Sequence, residues 1–158
     1  MATAPTTTAG ESREYPARPI VGIGIVVLRP RDGGVPEVLL VRRGKPPNVG
    51  AWTLPGGAQE LGETAEQAAR RELLEETQLT VGALHLAANV DNIQHDADGR
   101  VRYHYTIIDF AARWDGGTPV AGSDVSEAQW VSLDVLDPFS LWHEAHRVIA
   151  IARRLIGL

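Results

Sequence analysis

Residues Pro55–Leu79 read PGGAQELGETAEQAARRELLEETQL, and the rest of the chain is best understood from this stretch. Thr64 followed by Gln67 is a capping-box pattern, and the run AEQAARRELLEET after it holds strong helix formers with neither Gly nor Pro. It predicts a helix over Ala65–Thr77. Ala65, Ala69 and Leu73 recur at helical spacing on a face that can rest on a sheet. Glu72, Glu75 and Glu76 stand at i, i+3 and i+4, so three carboxylates leave the helix in nearly the same direction. As a stabilising device this is poor, because like charges one turn apart cost about 0.2–0.5 kcal/mol and acids in a last turn oppose the helix dipole. Arg71 can neutralise Glu75 and Glu66 can pair with Arg70, but Glu72 and Glu76 are left without local partners. A hard divalent cation, magnesium or manganese, suits clustered carboxylate oxygens and would let an acidic site receive a phosphate anion. The ordinary alternative is a solvated Glu-rich face. Upstream context favours the cation: Pro55–Glu63 reads as a flexible loop whose paired Gly56 and Gly57 let backbone approach a ligand closely and offer carbonyl oxygens.

On the N-terminal side, IVGIGIVVL (Ile20–Leu28) is dense in β-branched residues and bounded by Pro19 and Pro30, which predicts a buried strand. RPRDGGVP turns through Gly33-Gly34 into a second strand, Glu37–Arg43, completing a hairpin. GKPPNVG is a loop, followed by a short AWTL segment at Ala51–Leu54. Beyond the helix, TVGALHLAANVDNI and VRYHYTIIDFAA flank DADGR, whose Asp98-Gly99 signals a hairpin of two long antiparallel strands. A loop through WDGGTPVAGSDVSEA leads to a short strand at Gln129–Val131. The closing FSLWHEAHRVIAIARRLIGL is amphipathic, with Leu141, Ala145, Val148, Ala152 and Leu155 on one stripe. Strands on both sides of one helix, with a second helix at the end, indicate an α/β chain with a mixed sheet between helical layers.

At 158 residues the chain has the length of one domain, expected over 20–158, with 1–19 as a flexible tail. A net charge of −5 argues against a basic nucleic-acid surface or a polybasic membrane anchor. Cysteine is absent, which removes disulfides, thiolate nucleophiles and cysteine zinc sites, and fits a reducing cytoplasm. The longest apolar stretch is far too short to span a bilayer, and the N-terminus lacks the features of a secretory signal.

Gly57, Glu63, Arg71, Glu72, Leu73, Glu75, Glu76 and Leu79 answer the pattern G-x5-E-x7-R-E-U-x-E-E-x-G-U, with U a bulky aliphatic residue, so the chain resembles the Nudix hydrolase family. The departure is Gln78, which stands where the pattern has a glycine that would cap the helix in left-handed conformation. The resemblance implies an α/β/α sandwich and hydrolysis, dependent on Mg2+ or Mn2+, of the diphosphate linkage of a nucleoside diphosphate derivative. ADP-ribose is the first candidate, because GKPPNVGAWTLPGG and YHYTIIDF look similar to the ADP-ribose pyrophosphatase branch. A nucleoside triphosphate pyrophosphatase that removes modified nucleotides, and a nucleotide-binding module without catalysis, are the alternatives. By the same analogy Glu72, Glu75 and Glu76 carry the metal-ligand and base roles between them, with a carbonyl near Gly56 as a further ligand. Gly57 and Glu63 belong to the structure of the motif, Glu63 either holding the loop or binding a second metal. Arg71 orients Glu75. A base supplied from outside the motif would be Asp124 or Glu127, in GSDVSEAQW, for which an ordinary loop acid is the competing reading. The implied partner is a small nucleotide, not a nucleic-acid polymer or a membrane, and the resemblance also allows a homodimer.

Arg42, Arg43 and Lys45 are candidates to meet phosphate, against ordinary surface charge. Tyr103, His104 and Tyr105 alternate across a strand, and Trp114 and Trp142 are assigned to packing.

Overall fold

In the computed structural model, which describes residues 12–122 and 124–158, the chain runs β1 (Ile20–Arg29), β2 (Glu37–Arg43), β3 (Trp52–Thr53), β4 (Gly56–Ala58), α1 (Ala65–Thr77), β5 (His85–His95), β6 (Val101–Arg113), β7 (Val125–Ser132) and α2 (His143–Ile156). The sheet has the order β3-β2-β1-β6-β5, with β4 added to β1 and β7 to β2. β1 and β6 are parallel and the other pairs antiparallel, so the sheet is mixed. β1 divides its partners: Leu28 and Arg29 pair with β2, whereas Gly22–Gly24 pair with β4.

A run that apolar must be covered on both faces, and the two helices do so. Val26 and Leu28 join Val148, Ile149 and Ala152 of α2 in one cluster. Ile23, Ile25 and Val27 face the other way, onto Ala68, Ala69 and Leu73 of α1. The result is an α/β/α sandwich. Among the described residues no helix is long and apolar enough to cross a membrane.

Helix α1 has the predicted bounds and capping box, Thr64 Oγ1 accepting from the Gln67 amide and the Gln67 side chain accepting from the Thr64 amide. Its C-cap is Gln78, at φ 59° and ψ 13°, whose N–H donates to the Leu74 carbonyl. Gln78 thus adopts the left-handed conformation that glycine adopts more readily, and the helix ends as the motif requires. Gln78→Gly should relieve that strain and raise stability by about 0.5–1 kcal/mol in urea unfolding.

Three expectations need correction. Pro55–Glu63 is not all loop, because Gly56–Ala58 pairs with β1 as β4. β7 begins at Val125 rather than Gln129, since β2 supplies a ladder along its whole length. On α2, Leu155 is exposed while Ile149 is buried and Ile156 packs against the core, so the stripe is rotated from the expected one. Of the expected tail, residues 1–11 lie outside the described residues; within 12–19 the Tyr15 amide donates to the Arg102 carbonyl, its hydroxyl to Asp96, and Arg102 to Glu14.

Candidate active site

The acidic face of α1 lies against β4. A capped helix directly after that strand fixes the approach, and two glycines make it close. A Cβ on Gly57 would fall 2.4 Å from Glu72 Oε1, so the strand can lie here only without a side chain. Gly56 donates its amide to Glu76 Oε2 at 3.2 Å. Glu76 is 8% exposed, in the last turn of a helix that has no basic residue there.

The electrostatics follow from that placement. Burial pushes the Glu76 carboxyl up to about 8; the Gly56 amide and the Arg43 charge oppose the shift, while the Glu72 and Asp124 charges add to it. Burial also raises Glu72, against the opposing pull of Arg71. The site therefore holds more negative charge than its own donors balance.

Arg71 has a larger part than orienting Glu75. Its Nε and Nη2 donate to the two oxygens of Glu63 at 3.0 and 2.7 Å, its Nη1 to Glu72 at 2.8 Å and Glu75 at 3.3 Å, and Nη2 also to the Ala58 carbonyl. One guanidinium thus ties β4 and the following turn to the helix. It holds the Glu63 carboxyl below the usual carboxylate range, its hydrogen bond being the largest cause and the Glu60 amide the next. Glu72 and Glu76, expected without local partners, have Arg71 and Gly56 respectively. Arg70 turns instead to the carbonyls of Val81 and Gly82.

Asp124 and Glu127 are not drawn into the cluster by direct bonds. Asp124 pairs with Lys45 at 2.5 Å, and Glu127, on β7 rather than in a loop, pairs with Arg42 at 3.2 Å. Both are exposed, yet the Asp124 charge reaches Glu76. The Arg43 charge does too, while its Nε donates to the Pro47 carbonyl at 2.8 Å. Trp52 packs edge-on to Phe139 with ring centroids 5.2 Å apart, Trp114 meets Trp130 in the same way at 6.2 Å, and Trp142, assigned to packing, is exposed.

Among the described residues no three acidic or imidazole side chains already converge as a cage. The donor set nevertheless fits a hard divalent cation: Glu72 and Glu76 are partly or fully buried carboxylates held in less favourable surroundings than water, and Glu75, half exposed, has only the 3.3 Å contact to Arg71. Glu72, Glu75, Glu76 and the Gly56 backbone are the groups that would hold it.

The NUDIX domain profile matches residues 18–151. The chain belongs to the NUDIX family. It is 35% identical over 108 residues to an ADP-ribose pyrophosphatase of Methanocaldococcus jannaschii, covering 68% of this chain and 62% of that protein. It is 40% identical over 107 residues to an oxidized purine nucleoside triphosphate hydrolase of Danio rerio, covering 67% and 65%. The matches thus span less than two thirds of these curated relatives. Among solved structures, the NUDIX domain of Shewanella oneidensis NrtR complexed with ADP ribose superposes with a TM-score of 0.74 at 25% identity, covering 88% of this chain and 89% of that one.

Within this NUDIX domain, the motif reading missed Asp109, a buried carboxylate on β6. Its signal was an acid within the otherwise apolar run Ile107-Ile108-Asp109-Phe110-Ala111-Ala112.

Proposed function

We propose that this NUDIX chain hydrolyses the diphosphate linkage of a nucleoside diphosphate derivative with Mg2+ or Mn2+, ADP-ribose being the first candidate. The observation that carries the reading is Glu76, a carboxylate buried against a backbone amide and beside Glu72, in an arrangement a cation would complete. A bound divalent ion supplies neutralisation of diphosphate charge and a lowered pKa for a coordinated water. Glu72 and Glu76 would hold it with a Gly56 carbonyl as a further ligand, and Glu75 would join them where the base comes from outside the motif. Glu75 has an oxygen available to take a proton and serves as the base; Asp124 and Glu127, tied to Lys45 and Arg42, are the candidates outside the motif. Arg43 meets the phosphates. Arg71 and Glu63 keep the carboxylates in position, and Gly57 keeps Glu72 uncrowded. The partner is a small nucleotide, in keeping with a net charge of −5, and a cysteine-free chain suits the cytoplasm.

The relative named an oxidized purine nucleoside triphosphate hydrolase, at 40% identity, supports a second reading as a triphosphate pyrophosphatase. A panel of ADP-ribose and nucleoside triphosphates, including 8-oxo-dGTP, with and without magnesium, separates the two. Release of AMP from ADP-ribose supports the first; pyrophosphate from the triphosphates alone supports the second. No metal-dependent product from any of them rejects both.

A further inference from the structure

Asp109 sits mid-strand on β6, 5% exposed, between Gly24 of β1 and Ala88 of β5. Tyr105, Ile107 and Asp109 alternate onto one side of β6, opposite Asn92, Val90 and Ala88 of β5. That side faces α2, because Ile107, Val90 and Ala111 belong to the cluster built on α2. The glycines of β1 look the same way. A Cβ on Gly24 would stand 2.0 Å from Asp109 Oδ1, and one on Gly22 would stand 3.2 Å from Ile107 Cγ1. Glycine at 24 therefore makes room for the carboxylate.

Nothing in the fold rewards that room. No described residue donates a hydrogen bond to Asp109, and the Arg147 charge acts on it only through space while bonded to Glu144 at 2.6 Å. Burial pushes its carboxyl up to about 6, Arg147 offsetting only part of the shift. An unpaired buried carboxylate is destabilising, and an apolar residue would serve packing better. Both oxygens are acceptors without a donor among the described residues, and since Trp130 Nε1 is the described side-chain polar atom sealed from solvent without a partner, the Asp109 oxygens still reach solvent.

Its place suggests where those donors come from. Gly56, Gly24 and Asp109 form a row across β4, β1 and β6, so at strand spacing the Asp109 backbone lies about 10 Å from Gly56, whose amide holds Glu76. Among the described residues β4 has β1 as its strand partner and no other, and along its outer edge the Gly56 amide and the Ala58 carbonyl bond to Glu76 and Arg71 of α1, so a ligand held at the acidic site lies at the end of the row that leads to Asp109.

We propose that Asp109 determines specificity, its carboxylate accepting paired hydrogen bonds from the nucleoside part of the substrate. The donors are either the 2′,3′-diol of a ribose or the amino–imino edge of a guanine-type base. The inference rests on the reading of the chain as a nucleoside diphosphate hydrolase.

The test compares ADP-ribose with its 2′-deoxyadenosine counterpart, and GTP with ITP, which lacks the 2-amino group, in the wild-type protein, Asp109→Asn and Asp109→Leu. Loss of the contacted donor should lower wild-type kcat/KM by roughly 10–100-fold, mostly through KM. The same loss should change either variant by less than about threefold, because the partner is already gone. An effect in the first pair identifies the diol, and one in the second identifies the base. Asp109→Asn should melt no lower than wild type, since an amide is less costly to bury than an unpaired charge. Equal discrimination in all three proteins, or none in the wild type, overturns the inference while leaving the hydrolase reading intact. If the wild type turns over none of the four with magnesium, ligand-induced melting shifts with the same nucleotides decide, and equal shifts in wild type and Asp109→Asn overturn the role of Asp109; the hydrolase reading fails when the wider panel, 8-oxo-dGTP included, also gives no product.

Discussion

Glu76→Gln is expected to lower metal-dependent hydrolysis by roughly two to four orders of magnitude while making the metal-free protein more stable at neutral pH. The amide keeps the size of the side chain and an oxygen for the Gly56 amide, but it removes the charge that the site concentrates. The stability gain follows from linkage. Burial raises the Glu76 carboxyl to about 8 in the folded protein, above the ordinary value of 4.5 that holds when unfolded. The folded state therefore binds the extra proton. Its stabilising contribution is complete below 4.5 and is lost as pH rises through 8, a loss of about 3 kcal/mol by pH 7. Glutamine has no such loss. Melting curves in EDTA should separate the two proteins increasingly from pH 5 to pH 8, the variant melting higher. Magnesium should reverse the order, because a ligand that binds the folded state stabilises it and the variant binds the ion poorly. A variant that retains both turnover and a wild-type magnesium shift would remove Glu76 from the site.

Features with a fixed period are legible along the chain itself. The capping box, the bounds of α1, the three carboxylates at i, i+3 and i+4, and the β-branched run of β1 all depend on neighbours close in the chain. What escaped depends on segments that meet from afar. β4 is three residues long, too short for a pattern, and exists because β1 offers Gly22–Gly24 as a partner. Gly57 is needed because an added Cβ would stand 2.4 Å from Glu72, a steric demand invisible along the chain. Glu72 is left unpaired by helical spacing, which rules out a facing neighbour at i−1, yet the long Arg71 side chain folds back to reach it. The first half of β7, Val-Ser-Glu-Ala, carries little strand preference of its own and takes its conformation from pairing with β2. Asp109 is visible as a letter, but its lack of a donor depends on where the strands on either side lie.

Arg71→Ala should lose activity and stability together, and Arg71→Lys should restore little of either. The wild-type side chain uses all three guanidinium nitrogens, on Glu63, Glu72, Glu75 and the Ala58 carbonyl, and so spans helix, turn and β4 at once. Alanine leaves Glu63 and Glu72, both largely shielded from solvent, to repel one another with no cation between them. The turn then loses the Arg71 tie to the helix and keeps the capping box, and the Gly56 amide that holds Glu76 shifts with β4. Thermal unfolding should fall by several degrees, and kcat/KM by roughly 10–100-fold, as for residues that orient metal ligands rather than bind the ion. Lysine returns the charge, but a single ammonium on a flexible stem cannot bridge two carboxylates and a carbonyl in fixed directions. If Arg71→Lys recovered wild-type melting and turnover, net charge alone would be the contribution of this residue. Continued loss in the lysine variant, with magnesium affinity reduced in parallel, would show that the planar fork keeps the acidic face of α1 assembled against β4.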